Sequence, residues 1–309
     1  MVKRLKIALI KYVLRKKRKK LMKKNLIGER FIVPRVGLDG VETILYRPKT
    51  AGSETIPVLF NVHGGGFVGG DASQLDSYCS EMAERIPAFI VNINYKKIDV
   101  HPFPYPQMEL HDTVLYFSDH ANDYGIDPSK FVLIGYSAGG HLCAGAAMKL
   151  KENGFSLAGQ ILAYPFLDFT FGRTDDAKID KTGKVMGLIE EVLFPDLNVR
   201  EALVSPVLAR NEDLAGLAPA TIIVCEEDEL LPQAVQYAKR LEEVGVPVRF
   251  KQYPEAKHGF LEVNHPEYAA EKSIARSPEQ EKIMCECKEY LIQQLAQYFK
   301  ASSGREWNI

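Results

Sequence analysis

Ser137 has the sequence surroundings that a nucleophilic serine requires. It is the central residue of Gly135-Tyr-Ser-Ala-Gly139, which ends the predicted strand Phe131–Gly135 and opens a predicted helix over 139–151. A serine on a sharp turn between strand and helix holds its hydroxyl clear of the backbone, and the flanking glycines let the two elements pass closely. We therefore predict that Ser137 attacks a carbonyl carbon.

A serine hydroxyl is a weak nucleophile and needs a base that a carboxylate orients. His258 is the candidate base, because it lies in a loop just past the last predicted strand, Val248–Gln252. The acid is expected in residues 226–229, Glu-Glu-Asp-Glu, which follow the preceding predicted strand. Only one of these carboxylates can face the imidazole. We predict Asp228, with Glu227 as the alternative.

A run of glycines, Gly64, Gly65 and Gly66, follows the predicted strand Val58–Val62. Attack on a carbonyl leaves negative charge on its oxygen, which preorganised backbone N–H groups stabilise, and glycine lets the backbone approach closely. We predict that these three glycines and Ala138, the residue after the candidate nucleophile, form an oxyanion hole.

The same glycines allow a second interpretation. Gly64, Gly66 and Gly69 match the G-x-G-x-x-G pattern of a dinucleotide-binding loop after a strand. Such a site needs an acidic residue at the end of the next strand to bind the ribose, and Val91–Tyr95 contains none. We therefore favour the oxyanion hole and expect no cofactor.

The elements that must position these residues alternate along the chain. From residue 31 onward, short β-rich runs alternate with segments of helical periodicity, which is typical of an α/β domain. The predicted strands are Phe31–Val36, Glu42–Arg47, Val58–Val62, Ala88–Asn94, Phe131–Gly135, Gln160–Ala163, Thr221–Cys225 and Val248–Gln252. The main predicted helices span 74–85, 106–122, 139–151, 232–244 and 278–300. We expect an eight-stranded, mostly parallel sheet with helices on both faces.

Two segments fall outside this alternation, residues 1–30 and about 165–217. The second segment lacks a convincing strand and has a short helical pattern around Val185–Leu193. A stretch of that length in a compact domain is usually a lid or a binding element. We predict a catalytic domain over 31–309, with a helical cap built from 165–217 and from the N-terminal segment.

The N-terminal segment is strongly basic. Residues 1–30 hold 13 of the 39 lysines and arginines and one acid, Glu29. Residues 1–24 read as a basic amphipathic helix, which suits packing over the domain or peripheral contact with an anionic membrane. Lys11 breaks the apolar stretch too early for a signal peptide, and no apolar run approaches the ~20 residues of a membrane span. With five scattered cysteines, this pattern predicts a cytoplasmic protein without a metal site.

These motifs resemble those of the hormone-sensitive-lipase-like group of α/β-hydrolases, which includes bacterial carboxylesterases and acetyl esterases. The matching segments are His63–Gly66, His101–Pro104, Gly125–Lys130, Gly135–Gly139, Val204–Val207, Asp213–Leu217, Asp228–Leu230 and His258–Phe260. The resemblance runs from about Ile56 to the end. It implies the α/β-hydrolase fold with a cap, and hydrolysis of a carboxylic ester, with a short acyl group, through an acyl-enzyme without metal or cofactor.

The resemblance also implies roles for individual residues. The positions that match are Ser137, Asp228 and His258, with Gly65, Gly66 and Ala138 as oxyanion donors. Two positions depart from the group: its common Tyr-Arg-Leu-Ala-Pro-Glu is replaced by Tyr95–Val100, and its frequent Asp before the nucleophile is Tyr136. We expect both departures to affect the lining of the pocket and the contacts between the cap and the rest of the domain.

Several functions remain open at this point. The same three residues serve esterases, deacetylases, amidases and peptidases, because specificity lies in the pocket. A ligand-binding protein that has lost catalysis and a membrane-surface lipase are further alternatives. We expect a small-molecule ester as the substrate and no nucleic-acid partner, and the sequence does not predict an oligomeric state.

Overall fold

The computed structural model describes residues 2–49, 55–170, 197–266, 268 and 276–301. Its strands are β1 Glu29–Val33, β2 Val41–Tyr46, β3 Ile56–Val62, β4 Phe89–Asn94, β5 Ile126–Tyr136, β6 Gly159–Ala163, β7 Ala220–Cys225 and β8 Val248–Tyr253. They form one sheet in the order β1-β2-β4-β3-β5-β6-β7-β8. The pairs β1/β2 and β2/β4 are antiparallel, and the other neighbours are parallel. The predicted eight-stranded, mostly parallel sheet is confirmed.

The register of the parallel strands brings four loops to one edge of the sheet. Val62 at the end of β3 lies opposite Gly135 in β5, and Cys225 at the end of β7 lies opposite Tyr253 at the end of β8. Ligand sites of parallel α/β sheets lie at the carboxyl ends of the strands. The predicted glycine run, nucleophile, acid and base follow β3, β5, β7 and β8 respectively, so they meet at this edge.

Helices cover both faces of the sheet. Those of ten or more residues in the described part of the chain are α1 Val2–Leu21, α2 Asp76–Arg85, α3 Tyr105–Asp119, α4 Ala138–Glu152, α5 Leu231–Glu243 and α6 Pro278–Ala301. In β3, Val58 and Phe60 face a core cluster shared with α3, α4 and α5, whereas Leu59 faces a cluster shared with α2 and α6. The alternation of a strand thus buries both of its faces.

Several boundaries differ from the prediction. β1 spans Glu29–Val33 instead of Phe31–Val36, because these are the residues that pair with β2. β5 begins at Ile126, well before the predicted start, because this residue pairs with Ile56 across an irregularity in the register. α3 ends at Asp119, and a separate helical turn, Ala121–Tyr124, follows it. α2 starts later than predicted because a 3₁₀ turn, Ala72–Leu75, precedes it.

Helix α1 is attached to the domain through its C-terminal half. Leu14 packs against the core, and Arg18 donates to both carboxylate oxygens of Asp99, at 2.8 and 3.0 Å. Arg18 also donates to the carbonyl of Val68, at 2.7 Å. Neither α1 nor any other helix among the described residues has the length and apolarity needed to cross a bilayer.

The predicted cap segment, 165–217, is described at its two ends. Its described part contains a 3₁₀ turn, Pro206–Leu208, and a helical turn, Asn211–Leu214. The predicted helical pattern Val185–Leu193 lies outside the described residues. The cap and the division of the chain at residue 30 therefore stay predictions.

Candidate active site

Ser137 lies on a sharp turn between β5 and α4. Its backbone adopts φ 52° and ψ −115°, which is rare for a residue with a side chain. Gly135 and Gly139 make this turn possible: a Cβ on Gly135 would collide with the backbone of Gly139, and a Cβ on Gly139 would collide with the carbonyl of Val62. The N–H of Ser137 donates to Ala163 at 2.9 Å, which fixes the turn against β6.

Ser137, His258 and Asp228 form one chain of hydrogen bonds. His258 Nε2 lies 2.8 Å from Ser137 Oγ, and His258 Nδ1 lies 2.7 Å from Asp228 Oδ2. Because a carboxylate only accepts, we assign the proton to Nδ1, which leaves Nε2 to accept from the serine hydroxyl. This polarity allows a proton to pass from the serine to the imidazole.

Asp228 is held more firmly than its acidic neighbours. Its side chain is 6% exposed, compared with 41% for His258. Its second oxygen accepts from the N–H of Leu230 at 3.0 Å. Glu227 is exposed, and within the described residues it makes no hydrogen bond to His258. The structure therefore places Asp228, rather than Glu227, against the imidazole.

The glycine run presents free backbone donors to the space beside Ser137. Gly65 and Gly66 have φ values of 119° and 59°, and a Cβ on Gly65 would lie 2.6 Å from the backbone of Gly69. The N–H groups of Gly65, Gly66 and Ala138 have no acceptor among the described residues, and all three residues line the same cavity as Ser137. They are available to an oxygen of a bound substrate.

Gly64 differs from the other predicted donors. Its N–H donates to Glu262 Oε1 at 2.9 Å, in the protein interior. A donor with an internal partner is not free for a substrate oxygen. Gly64, which the sequence places among the donors, therefore holds the loop in this structure instead of facing the ligand.

A buried cluster fixes the other side of the Gly64 peptide. His63 Nδ1 lies 2.6 Å from the Gly64 carbonyl, and its Nε2 lies 3.1 Å from Lys97 Nζ. Lys97 also donates to the carbonyl of Tyr95, at 2.6 Å, and to Asn94 Oδ1, at 3.3 Å. Burial lowers the pKa of Lys97 to about 7 and also lowers the pKa of His63. Lys97 belongs to Tyr95–Val100, the segment that departs from the family motif. Through its contact with His63, this segment supports the backbone of the glycine run.

Tyr136, the other departure, belongs to the core beneath the turn. Its hydroxyl donates to the hydroxyl of Tyr78 in α2, at 3.1 Å. Burial raises the pKa of Tyr136 well above its ordinary value. Tyr136 therefore lies outside the chain of hydrogen bonds that joins Ser137, His258 and Asp228.

A cavity of about 640 Å³ opens at Ser137. Phe67, Phe166 and Val263 give it apolar walls, and the charged side chains Glu227, Glu229, Lys257 and Glu262 also line it. A volume of a few hundred Å³ is typical of a small-molecule site.

Glu262 is a residue of this site that the sequence motifs do not predict. This residue is 6% exposed, and burial raises the pKa of its carboxyl to about 7. The available signal was an acidic residue inside the apolar stretch Phe260–Val263, four positions after His258.

Comparisons with known proteins agree on one family. A family model described as an alpha/beta hydrolase fold matches residues 59–262. The carboxylesterase NlhH of Mycobacterium tuberculosis is 29% identical over 237 residues, which are 73% of this chain and 74% of that protein. The carboxylic ester hydrolase LipN of the same organism is 31% identical over 229 residues, 70% of this chain and 60% of that protein. The solved structure of an esterase from Pyrobaculum calidifontis aligns with a TM-score of 0.73 and 25% identity, over 97% of this chain and 92% of that chain.

The matched range covers more than half of the chain and includes the glycine run, Ser137, Asp228 and His258. The chain therefore belongs to the α/β-hydrolase family. Its predicted resemblance to the hormone-sensitive-lipase-like group is confirmed.

Proposed function

We propose that this protein is a serine esterase that hydrolyses a carboxylic ester with a short acyl group. The observation that carries the proposal is the hydrogen-bonded chain from Ser137 Oγ through His258 to Asp228, with distances of 2.8 and 2.7 Å. Three N–H groups that have no acceptor among the described residues line the same cavity. The names of the relatives, a carboxylesterase and a carboxylic ester hydrolase, support an ester as the bond that is broken.

In the first half of the proposed reaction, Ser137 Oγ attacks the ester carbonyl carbon and His258 Nε2 takes its proton. Asp228 stabilises the imidazolium that forms, and the N–H groups of Gly65, Gly66 and Ala138 bind the negatively charged oxygen. The tetrahedral intermediate collapses, His258 returns the proton to the leaving alkoxide, and an alcohol departs. The acyl group stays on Ser137.

In the second half, water takes the place of the serine. His258 removes a proton from the water as it attacks the acyl carbonyl, and the same N–H groups stabilise the second tetrahedral intermediate. Collapse of this intermediate transfers the proton to Ser137 Oγ and releases the carboxylic acid. The net reaction consumes one ester and one water and needs no metal or cofactor.

Replacement of the nucleophile tests this proposal. We expect S137A to lose hydrolysis of p-nitrophenyl acetate by at least about 10⁴-fold, because the other groups cannot supply a nucleophile. The matched control is S156A, at an exposed serine outside the cavity, and it should keep native activity. A fluorophosphonate should label Ser137 in the native protein. Activity that survives in S137A, or a native Ser137 that resists labelling, would contradict the proposal.

A substrate panel in the same assay decides the class of ester. It should run from acetyl to palmitoyl p-nitrophenyl esters, with acetylated sugars and acyl anilides beside them. The proposal expects the highest kcat/KM among the short acyl esters. Preference for the sugars or the anilides would favour a deacetylase or an amidase on the same residues, and preference for palmitoyl would favour a lipase.

A second candidate function, activity at a membrane surface, is favoured by the outward side of α1. Leu5, Leu9 and Tyr12 lie at positions i, i+4 and i+7 and are 75%, 62% and 62% exposed. They share one helix face, in a segment that is rich in lysine and arginine. An exposed apolar face among cations suits an anionic bilayer surface. Vesicle sedimentation tests this candidate.

A further inference from the structure

Glu262 connects two loops that are far apart in the sequence. It lies in the helical turn Phe260–Val263, which starts two residues after His258. Its Oε1 accepts from the N–H of Gly64, 198 positions away, at 2.9 Å. The contact is close on the side of the glycine too, because a Cβ on Gly64 would lie 2.9 Å from Glu262 Oε2.

The carbonyl of Gly64 is held as well. His63 Nδ1 donates to it at 2.6 Å, and the hydroxyl of Tyr95 approaches it at 3.5 Å. Both polar groups of Gly64 thus have partners in the protein interior, one of which Glu262 supplies. This residue is therefore a fixed point in the backbone.

The residues that follow this fixed point are held through the backbone alone: among the described residues, the carbonyl of Gly65 accepts from the N–H of Gly69, at 2.8 Å. Gly65 and Gly66 lack side chains, and a Cβ on Gly66 would have no neighbour within 4 Å. A glycine backbone populates many conformations, so the directions of these two N–H groups depend on the residues that hold either end of the run. The N-terminal end is Gly64.

We propose that Glu262 is a positioning residue for the oxyanion hole: its bond to Gly64 aims the N–H groups of Gly65 and Gly66 into the cavity. The inference rests on the proposed function, since it concerns the same reaction. It also ties the glycine run to the turn that follows His258, so that donors and base keep a constant separation.

Glu262 acts through the backbone and does not exchange protons in the reaction. Within the described residues it makes no hydrogen bond to Ser137 or His258. Burial raises the pKa of its carboxyl to about 7, and either protonation state offers an oxygen to the Gly64 N–H. The role therefore depends on an oxygen acceptor within hydrogen-bonding distance of the Gly64 N–H, and not on the negative charge.

Three variants separate the effect of the side-chain length at position 262 from the effect of its charge. E262Q keeps an oxygen acceptor at the same distance and removes the charge. E262D keeps the charge but is one methylene shorter, and E262L removes the acceptor. Removal of one oxyanion donor costs about 10²–10³ in kcat. Loss of alignment should cost less, so we expect E262L and E262D to lower kcat about 10- to 100-fold with KM within about threefold.

E262Q is expected to keep kcat within about threefold of the native protein, because its amide oxygen still accepts from Gly64. The matched control is E226Q, which removes an exposed carboxylate that does not line the cavity. Urea unfolding of every variant establishes that it is folded under assay conditions. If E262L does not fold, the comparison of E262Q with E262D still decides the question.

The inference would be overturned if E262D or E262L kept a native-like kcat, or if only KM rose. It would also be overturned if E262Q lost as much kcat as E262D. Failure of the proposed function has a different signature. In that case the native protein itself would neither hydrolyse the esters nor be labelled at Ser137.

Discussion

Two acidic side chains stand next to each other after β7, and their surroundings differ. Asp228 is nearly buried and bonded to His258 and Leu230, whereas Glu227 is exposed. We expect D228N to lower kcat by about 10⁴-fold, because an amide cannot hold the imidazole in the required tautomer. E227Q should stay within about threefold of the native kcat. Steady-state kinetics on one short acyl ester checks both values, and equal losses would show that the acid is misassigned.

At the scale of residues, a motif can predict candidate site residues when its residue types and spacing specify the chemistry. The residue types, order and spacing predict Ser137, His258 and the acidic run after β7. Glu262 and Lys97 could not be predicted in this way, because their roles come from burial and from partners that only the tertiary fold supplies. Gly64 shows the same limit: its type suits an oxyanion donor, but a distant carboxyl group takes its N–H.

At the scale of elements, apolar periodicity predicts the existence and type of the strands and helices. It fails at boundaries that long-range pairing decides. β5 extends back to Ile126 because of its partner Ile56, which no local pattern reveals. α2 starts late because Asp71 caps a 3₁₀ turn, where its side chain accepts from the N–H of Ser73.

The outward face of α1 gives a prediction of its own. We expect the native protein to sediment with vesicles that contain phosphatidylserine, and to stay in solution with pure phosphatidylcholine. L5S/L9S/Y12S should weaken this binding by at least about tenfold, since it removes the apolar contacts and keeps the charge. I32S/V36S, at exposed apolar residues outside α1, is the matched control. Binding that is unchanged in the triple variant would count against a lipid surface.

At the scale of the whole molecule, the buried lysine makes folding depend on pH. The pKa of Lys97 falls from about 10.5 to about 7 on burial. Between these values the unfolded chain holds a proton that the folded protein lacks, so the folded state gains stability as the pH rises. Below pH 7 both states hold the proton, and this dependence disappears.

The variant K97M has no such group. We therefore expect a pH-dependent difference between the free energies of unfolding of the native protein and of K97M above pH 7; below pH 7, His63, whose pKa Lys97 also lowers, contributes to the difference as well. From pH 7 to 10 the free energy of unfolding of the native protein relative to K97M should rise, by at most about 1.4 kcal/mol per pH unit. Urea unfolding at a series of pH values measures the difference. A constant difference across the whole range would show that Lys97 is not buried in the way described.

The bond between Gly64 and Glu262 also has a consequence for how the protein is made. The glycine run lies in the first quarter of the chain, whereas His258 and Glu262 follow the last strand of the sheet. On the ribosome, the N-terminal half leaves the exit tunnel long before those residues are translated. A nascent chain therefore lacks His258 and the bond that holds Gly64, so the proposed hydrolysis can begin only when the sheet is complete.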